Sequence, residues 1–96
     1  MIYEQLMKGY IPKTTGKYKK DYSRCVKRGW NMKLLDDVVE KLCRGEHLDD
    51  NCQNHTLSGT WAGCWECHIK GTWVLLYQIE DEYVILRRTG SHSDLL

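Results

Sequence analysis

The 96-residue sequence has no stretch of eighteen consecutive apolar residues, which excludes an apolar helix long enough to span a bilayer. Its first ten residues, MIYEQLMKGY, contain no extended apolar core and no small-residue cleavage site, so a secretory leader is not expected and a cytosolic location is. There is no internal repeat, no linker and no low-complexity tract, and the length suits one modest domain, expected over residues 10–96 behind a short extension at 1–9. Five cysteines at positions 25, 43, 52, 64 and 67 are an odd, scattered set, unlike a disulfide framework. Net charge is also scarce, at +1, but its distribution is uneven. Residues 1–46 carry eleven basic and six acidic side chains, whereas 47–96 carry three and seven, a division that suits a nucleic acid or an acidic partner chain on one face.

The short segment CWECH, Cys64 to His68, has the C-x-x-C-H form of a haem attachment site, and its first half has the form of a zinc or redox motif. Haem attachment requires export, which nothing in the sequence signals. The surrounding pattern reads as a strand, on which side chains alternate between faces. Cys64 and Cys67, three apart, then point to opposite sides and cannot share one metal without a bulge or turn. A zinc site from Cys52, Cys64 and His68 is the weaker alternative, and no cofactor is expected. What survives of the motif is His68, with Glu66 on the same face.

Tyr10 to Thr14 reads as a short strand in which Pro12 is tolerable only near an edge. Tyr18, Tyr22, Cys25 and Val26 recur at helical spacing from Lys17 onward, and Gly29 ends that helix. Asn31 is placed to cap a second helix with Leu34, Leu35, Val38, Val39 and Leu42 on one side and Gly45 at its end. Residues 46–63 follow neither period and read as a long ordered loop. Three strands are then expected at Cys64 to Ile69, Thr72 to Ile79 and Tyr83 to Thr89, joined by turns short enough for antiparallel hairpins. The predicted fold is α+β: β-α-α-β-β-β, a small twisted antiparallel sheet with an αα-hairpin packed on one face.

The segments YKKDYSRCVKRGWN, NHTLSGTWAGCWECHIKGTWVLLYQIED and RRTGSHSDLL resemble the YafQ branch of the RelE/ParE toxin superfamily, from about Tyr10 to Leu96. The most specific pieces are His55, Leu57, Gly59 and Trp61 in the loop, the E-C-H-I strand, and Arg88 to His92 ahead of SDLL. The resemblance implies a bacterial type II toxin that enters the ribosomal A site, cleaves mRNA there as a metal-independent endoribonuclease, and is silenced by a DinJ/RelB-like antitoxin. It also implies a free toxin that is monomeric and makes no membrane contact. Carried over by position, the active site comprises His55, His68, Trp73 and His92. Thr72 stands where the family usually has Asp, and Leu96 where it usually has Phe.

RNA cleavage by acid–base chemistry needs a base for the 2′-OH proton, an acid for the leaving 5′ oxygen and a cation for the charge that builds on phosphorus. Imidazoles suit the first two roles because they titrate near neutrality. The expected assignment is His92 as acid, His55 or His68 as base and phosphate ligand, and Arg88 stabilising the transition state. Trp73, Thr72 and Leu96 are the expected substrate contacts. Lys17, Lys19, Lys20, Arg24, Lys27 and Arg28 form the basic face of the first helix, a candidate surface for RNA or ribosome phosphates. His47 reads as an ordinary surface histidine, and Trp61 and Trp65 as packing residues. The competing function is a non-enzymatic protein of the same fold, either a gyrase poison or an antitoxin-binding repressor subunit.

Overall fold

The computed structural model describes residues 9–46 and 55–95. Strand β1 (Ile11–Thr14) runs into helix α1 (Gly16–Lys27) through Thr15. The Thr15 hydroxyl oxygen accepts from the Tyr18 N–H, satisfying one of the helix's open donors, and the same hydroxyl donates to the Leu86 carbonyl at 3.1 Å. One side chain therefore caps α1 and ties its start to the sheet. Both helices end in the same way. Gly29 and Gly45 adopt φ of 78° and 71°, a region glycine enters without steric cost. Paired bonds from Gly29 to Val26 and from Trp30 to Cys25 close α1, and those from Gly45 to Leu42 and from Glu46 to Lys41 close α2 (Met32–Cys43). Asn31 caps the start of α2 by accepting from the Lys33 N–H.

The sheet has the order β1-β5-β4-β3-β2, with β2 (His55–Thr56), β3 (Trp65–Lys70), β4 (Trp73–Glu80) and β5 (Tyr83–Ser91). The α+β class and the β-α-α-β-β-β order are as read from the sequence. One pairing differs from a purely antiparallel sheet: β1 lies parallel to β5, Ile11 opposite Tyr83 and Thr14 opposite Leu86, because the chain reaches β5 only after crossing both helices and three strands. Pro12 does occupy an edge strand, where its missing N–H breaks no interior ladder. The end of the expected loop also differs. His55 and Thr56 pair with Glu66 and Trp65 as β2, and Gly59–Trp61 form a 3-10 turn; residues 47–54, including His47 and Cys52, lie outside the described residues.

Alternation divides the core into two layers. Leu35 and Leu42 from α2 and Tyr18 from α1 bury against Cys67, Trp73, Leu75, Tyr77, Val84 and Leu86 on one face of the sheet. On the other face Val74 and Leu76 are covered by Leu57 and Trp61 and by Leu95 of a short C-terminal helix, α3 (His92–Leu95). Each fully buried aliphatic side chain contributes about 1.5–3 kcal/mol. The α3 turn and the loop thus act as a small second cover, and this places the C-terminal histidine beside β3. Among the described residues no helix is long and apolar enough to cross a membrane.

Candidate functional site

Glu66 and His68, two apart on β3, project from the face opposite the long helices, as period-two alternation requires. The Glu66 side chain is 3% exposed, and its two oxygens face different imidazoles. His68 Nε2 lies 3.3 Å from Oε1, and His92 Nε2 lies 3.5 Å from Oε2. The second distance is long for a hydrogen bond, so it is a charge-facing contact rather than a bond. A carboxylate oxygen facing Nε2 favours the tautomer that carries its proton on that nitrogen, so each ring is oriented. His92 is fixed from the backbone side as well, since its N–H donates to the Thr72 carbonyl at 2.7 Å.

The expected site residues are distributed unequally around this centre. His68 and His92 converge through Glu66. His55 is the cross-strand partner of Glu66 in the β2–β3 register. Thr72 joins through its carbonyl, while its side chain faces solvent. Trp73 lies in the helix-side core, with its indole N–H donating to Thr89 Oγ1 at 2.9 Å, which makes it a pocket wall. Leu96 lies outside the described residues.

Arg88 pairs with a different carboxylate. The β4–β5 register skips Arg87, a bulge that re-aims the residues beside it. Past Leu86, where β1 stops, Asp21 of α1 occupies the outer edge of β5. Its Oδ2 accepts from Arg88 Nε at 2.6 Å and from the Thr89 N–H at 3.2 Å, and its Oδ1 accepts from Arg88 Nη2 and from Arg24. The hydrogen bond to Asp21 raises the Arg88 pKa above its ordinary value.

The basic face is also subdivided. Arg24 pairs with Asp21 and Arg28 with Asp94 of α3, whereas Lys17, Lys19, Lys20 and Lys27 point into solvent. A shallow depression of about 550 Å³ lies among Lys19, Lys20, Ser23, Arg24 and Lys27. The bond from Arg28, with help from Ser91, holds the Asp94 carboxyl below the usual carboxylate range.

Sequence reading left three carboxylates outside the site. Glu66 carried a legible signal, its two-residue spacing from His68 on a strand. Asp21 and Asp94 carried none for Arg88 and Arg28, because those arginines lie more than sixty residues from them. No group of three or more His, Cys, Asp or Glu side chains among the described residues is arranged to hold a metal ion, and Cys52 of the alternative zinc set lies outside them.

Comparison with known proteins gives a consistent picture. Residues 10–96 match the family model described as a bacterial toxin of type II toxin–antitoxin systems, YafQ. The mRNA interferase toxin YafQ of Escherichia coli K12 is 30% identical over 82 residues, covering 84% of this chain and 89% of the relative. Among solved structures, the chain is similar to the E. coli DinJ–YafQ toxin–antitoxin complex, with a TM-score of 0.84 and 28% identity over 92% of this chain and 98% of that one. It is equally similar to a metal-bound toxin from Helicobacter pylori, with a TM-score of 0.84 and 36% identity over 91% and 99%.

Proposed function

Because this chain belongs to the YafQ family of bacterial toxins of type II toxin–antitoxin systems, we propose that it is an mRNA interferase which cleaves message in the ribosomal A site by histidine acid–base chemistry. The observation that carries the reading is the bridging of His68 and His92 by the buried Glu66. Two imidazoles on one carboxylate supply a base and an acid that are oriented together.

In this scheme His68, or His55 beside it, takes the proton from a 2′-OH as that oxygen attacks phosphorus. His92 delivers a proton to the 5′ oxygen as the P–O5′ bond breaks. The products are a 2′,3′-cyclic phosphate and a 5′-OH. Arg88 stabilises the charge on phosphorus, with Nη1 the guanidinium nitrogen outside its pair with Asp21. Trp73 shapes the substrate pocket, Thr72 positions His92 through its carbonyl, and Leu96 adds an apolar contact. The outward Lys17, Lys19, Lys20 and Lys27, flanked by Arg24 and Arg28, bind ribosomal RNA phosphates in a salt-dependent manner. The DinJ–YafQ complex joins a toxin to its antitoxin, and a cognate antitoxin of that kind is the proposed regulator here.

The test is cleavage of message on translating ribosomes by the purified protein, with product ends mapped. The expected result is a 5′-OH downstream fragment whose rate falls by about 100-fold or more in His92→Gln. Undiminished cleavage by His92→Gln would remove His92 from the mechanism. No cleavage by the wild type would leave the non-enzymatic reading in its place.

A further inference from the structure

We propose that the recess between the α1–α2 turn and the β3–β4 hairpin is a nucleobase subsite, which receives a single-stranded RNA base flanking the scissile phosphate. The inference rests on the nuclease reading and adds where the substrate is read. The recess holds about 530 Å³ and is lined by Trp30, Asn31, Leu34, Lys70, Thr72 and Trp73, together with two glycines. That volume is within the range of small-ligand clefts, about 300–1,000 Å³.

Its chemistry matches a base on a phosphate chain. Trp73 is 5% exposed and pinned by its bond to Thr89, so it forms a rigid rear wall. Trp30 is only half-buried and leans on that wall, with ring centroids 4.9 Å apart and planes tilted by 50°. It sits in a turn whose geometry is already fixed by Gly29 and Asn31, so neither helix cap requires an indole there. Large aromatic side chains offered at a cleft are the usual platform for unpaired bases. Asn31 and Thr72 add polar groups for a base edge. The lining contains no carboxylate, Lys70 is exposed at the rim, and the Arg28 guanidinium lies 5.4 Å from the centre of the Trp30 ring. Lys70 suits a phosphate beside a docked base, while Arg28 is paired with Asp94.

Location completes the case. The Thr72 carbonyl accepts the His92 N–H, so the recess wall and the proposed general acid are one hydrogen bond apart.

The test pairs a binding measurement that needs no cleavage with a cleavage profile. Trinucleotides carrying 2′-O-methyl groups, which lack the attacking hydroxyl, are titrated into the wild-type protein while the indole N–H signals of Trp30 and Trp73 are followed by NMR. Both signals are expected to move. Trp30→Ala is expected to weaken trinucleotide binding by about tenfold and to flatten the base preference around the cut on ribosomes, whereas Trp30→Phe retains most of both. Lys70→Gln serves as a second variant in which the aromatic wall is untouched, and is expected to weaken binding with the base preference kept. The proposal is overturned if the His92 signals move on titration and the indoles do not, or if folded Trp30→Ala binds and selects bases as the wild type does. It is equally overturned if the recess takes apolar peptide side chains and ignores trinucleotides. Loss of the nuclease reading shows separately, as absent cleavage by a wild-type protein whose indoles still respond to RNA.

Discussion

Oε2 of Glu66 stands 3.5 Å from Nε2 of His92, across the gap between the third strand and the C-terminal helix. The same carboxylate reaches His68 through its other oxygen, so one buried negative charge organises two rings. Glu66→Gln keeps the shape and removes the charge. Cleavage on ribosomes is expected to fall by about 100-fold or more, the usual contribution of an oriented acid–base group. Thermal melting should be little changed or slightly raised, because a neutral amide costs less to bury than a carboxylate. Full activity in this variant would show that the rings work without their shared partner.

Asp21 gives the opposite signature. Its buried carboxylate neutralises Arg88, accepts the Thr89 N–H and takes a bond from Arg24, all at the edge of the sheet that β1 leaves uncovered. Asp21→Ala strands a guanidinium and a backbone donor there, and is expected to cost about 3–5 kcal/mol of stability in urea unfolding. Asp21→Asn keeps an acceptor and should lose less. A stability equal to the wild type in Asp21→Ala would mean that solvent replaces the pair freely.

The two halves of this contrast show what the sequence could and could not reveal. Local signals were readable. Helical periodicity, Asn31 as a cap, Gly29 and Gly45 as stops, and Pro12 as an edge residue all act within a few positions, and each is found in the structure where pattern placed it, except that Val26 of α1 is 51% exposed while Asp21 is buried. His68 and Glu66 were readable as neighbours because strand alternation is strict. The parallel seat of β1 was not, since pairing depends on which strand edge lies open after the crossover. Nor was the engagement of Arg88, which a one-residue bulge at Arg87 turns toward a carboxylate on the first helix. The α3 turn escaped notice because four residues are too few to show a period.

Thr72 stands where the family resemblance implies an acidic residue, and its side chain faces solvent next to the carbonyl that holds His92. Thr72→Asp adds a second negative charge near a ring that Glu66 already serves. The expected outcome is a rise in cleavage smaller in magnitude than the loss caused by Glu66→Gln, measured side by side on the same ribosome complexes. A gain that exceeded that loss would move the main orienting role from Glu66 to position 72.

Arg28 and Asp94 form the remaining link between the long basic helix and the C-terminal turn, at 2.9 Å. Asp94 also takes its backbone N–H to Ser91 Oγ, so the pair braces the short helix that begins with His92. The pKa of Asp94 in the folded protein lies below its ordinary value of 3.8, chiefly because of the hydrogen bond from Arg28. A lowered carboxyl pKa stabilises the fold above the unfolded value, and the contribution disappears as pH falls through the folded value. The brace is therefore complete at neutral pH and is lost only in acid, below about pH 4. Asp94→Asn removes it at neutral pH and leaves the Arg28 contact with Trp30 in place. The protection of the Leu95 amide, its exchange rate measured against the unstructured rate at the same pH, should fall in this variant at pH 7 and in the wild type only on acidification, with added salt moving the wild type toward the variant. Protection at Leu95 that is indifferent to Asp94→Asn, to acid and to salt would show that burial of the Leu95 side chain holds the turn unaided.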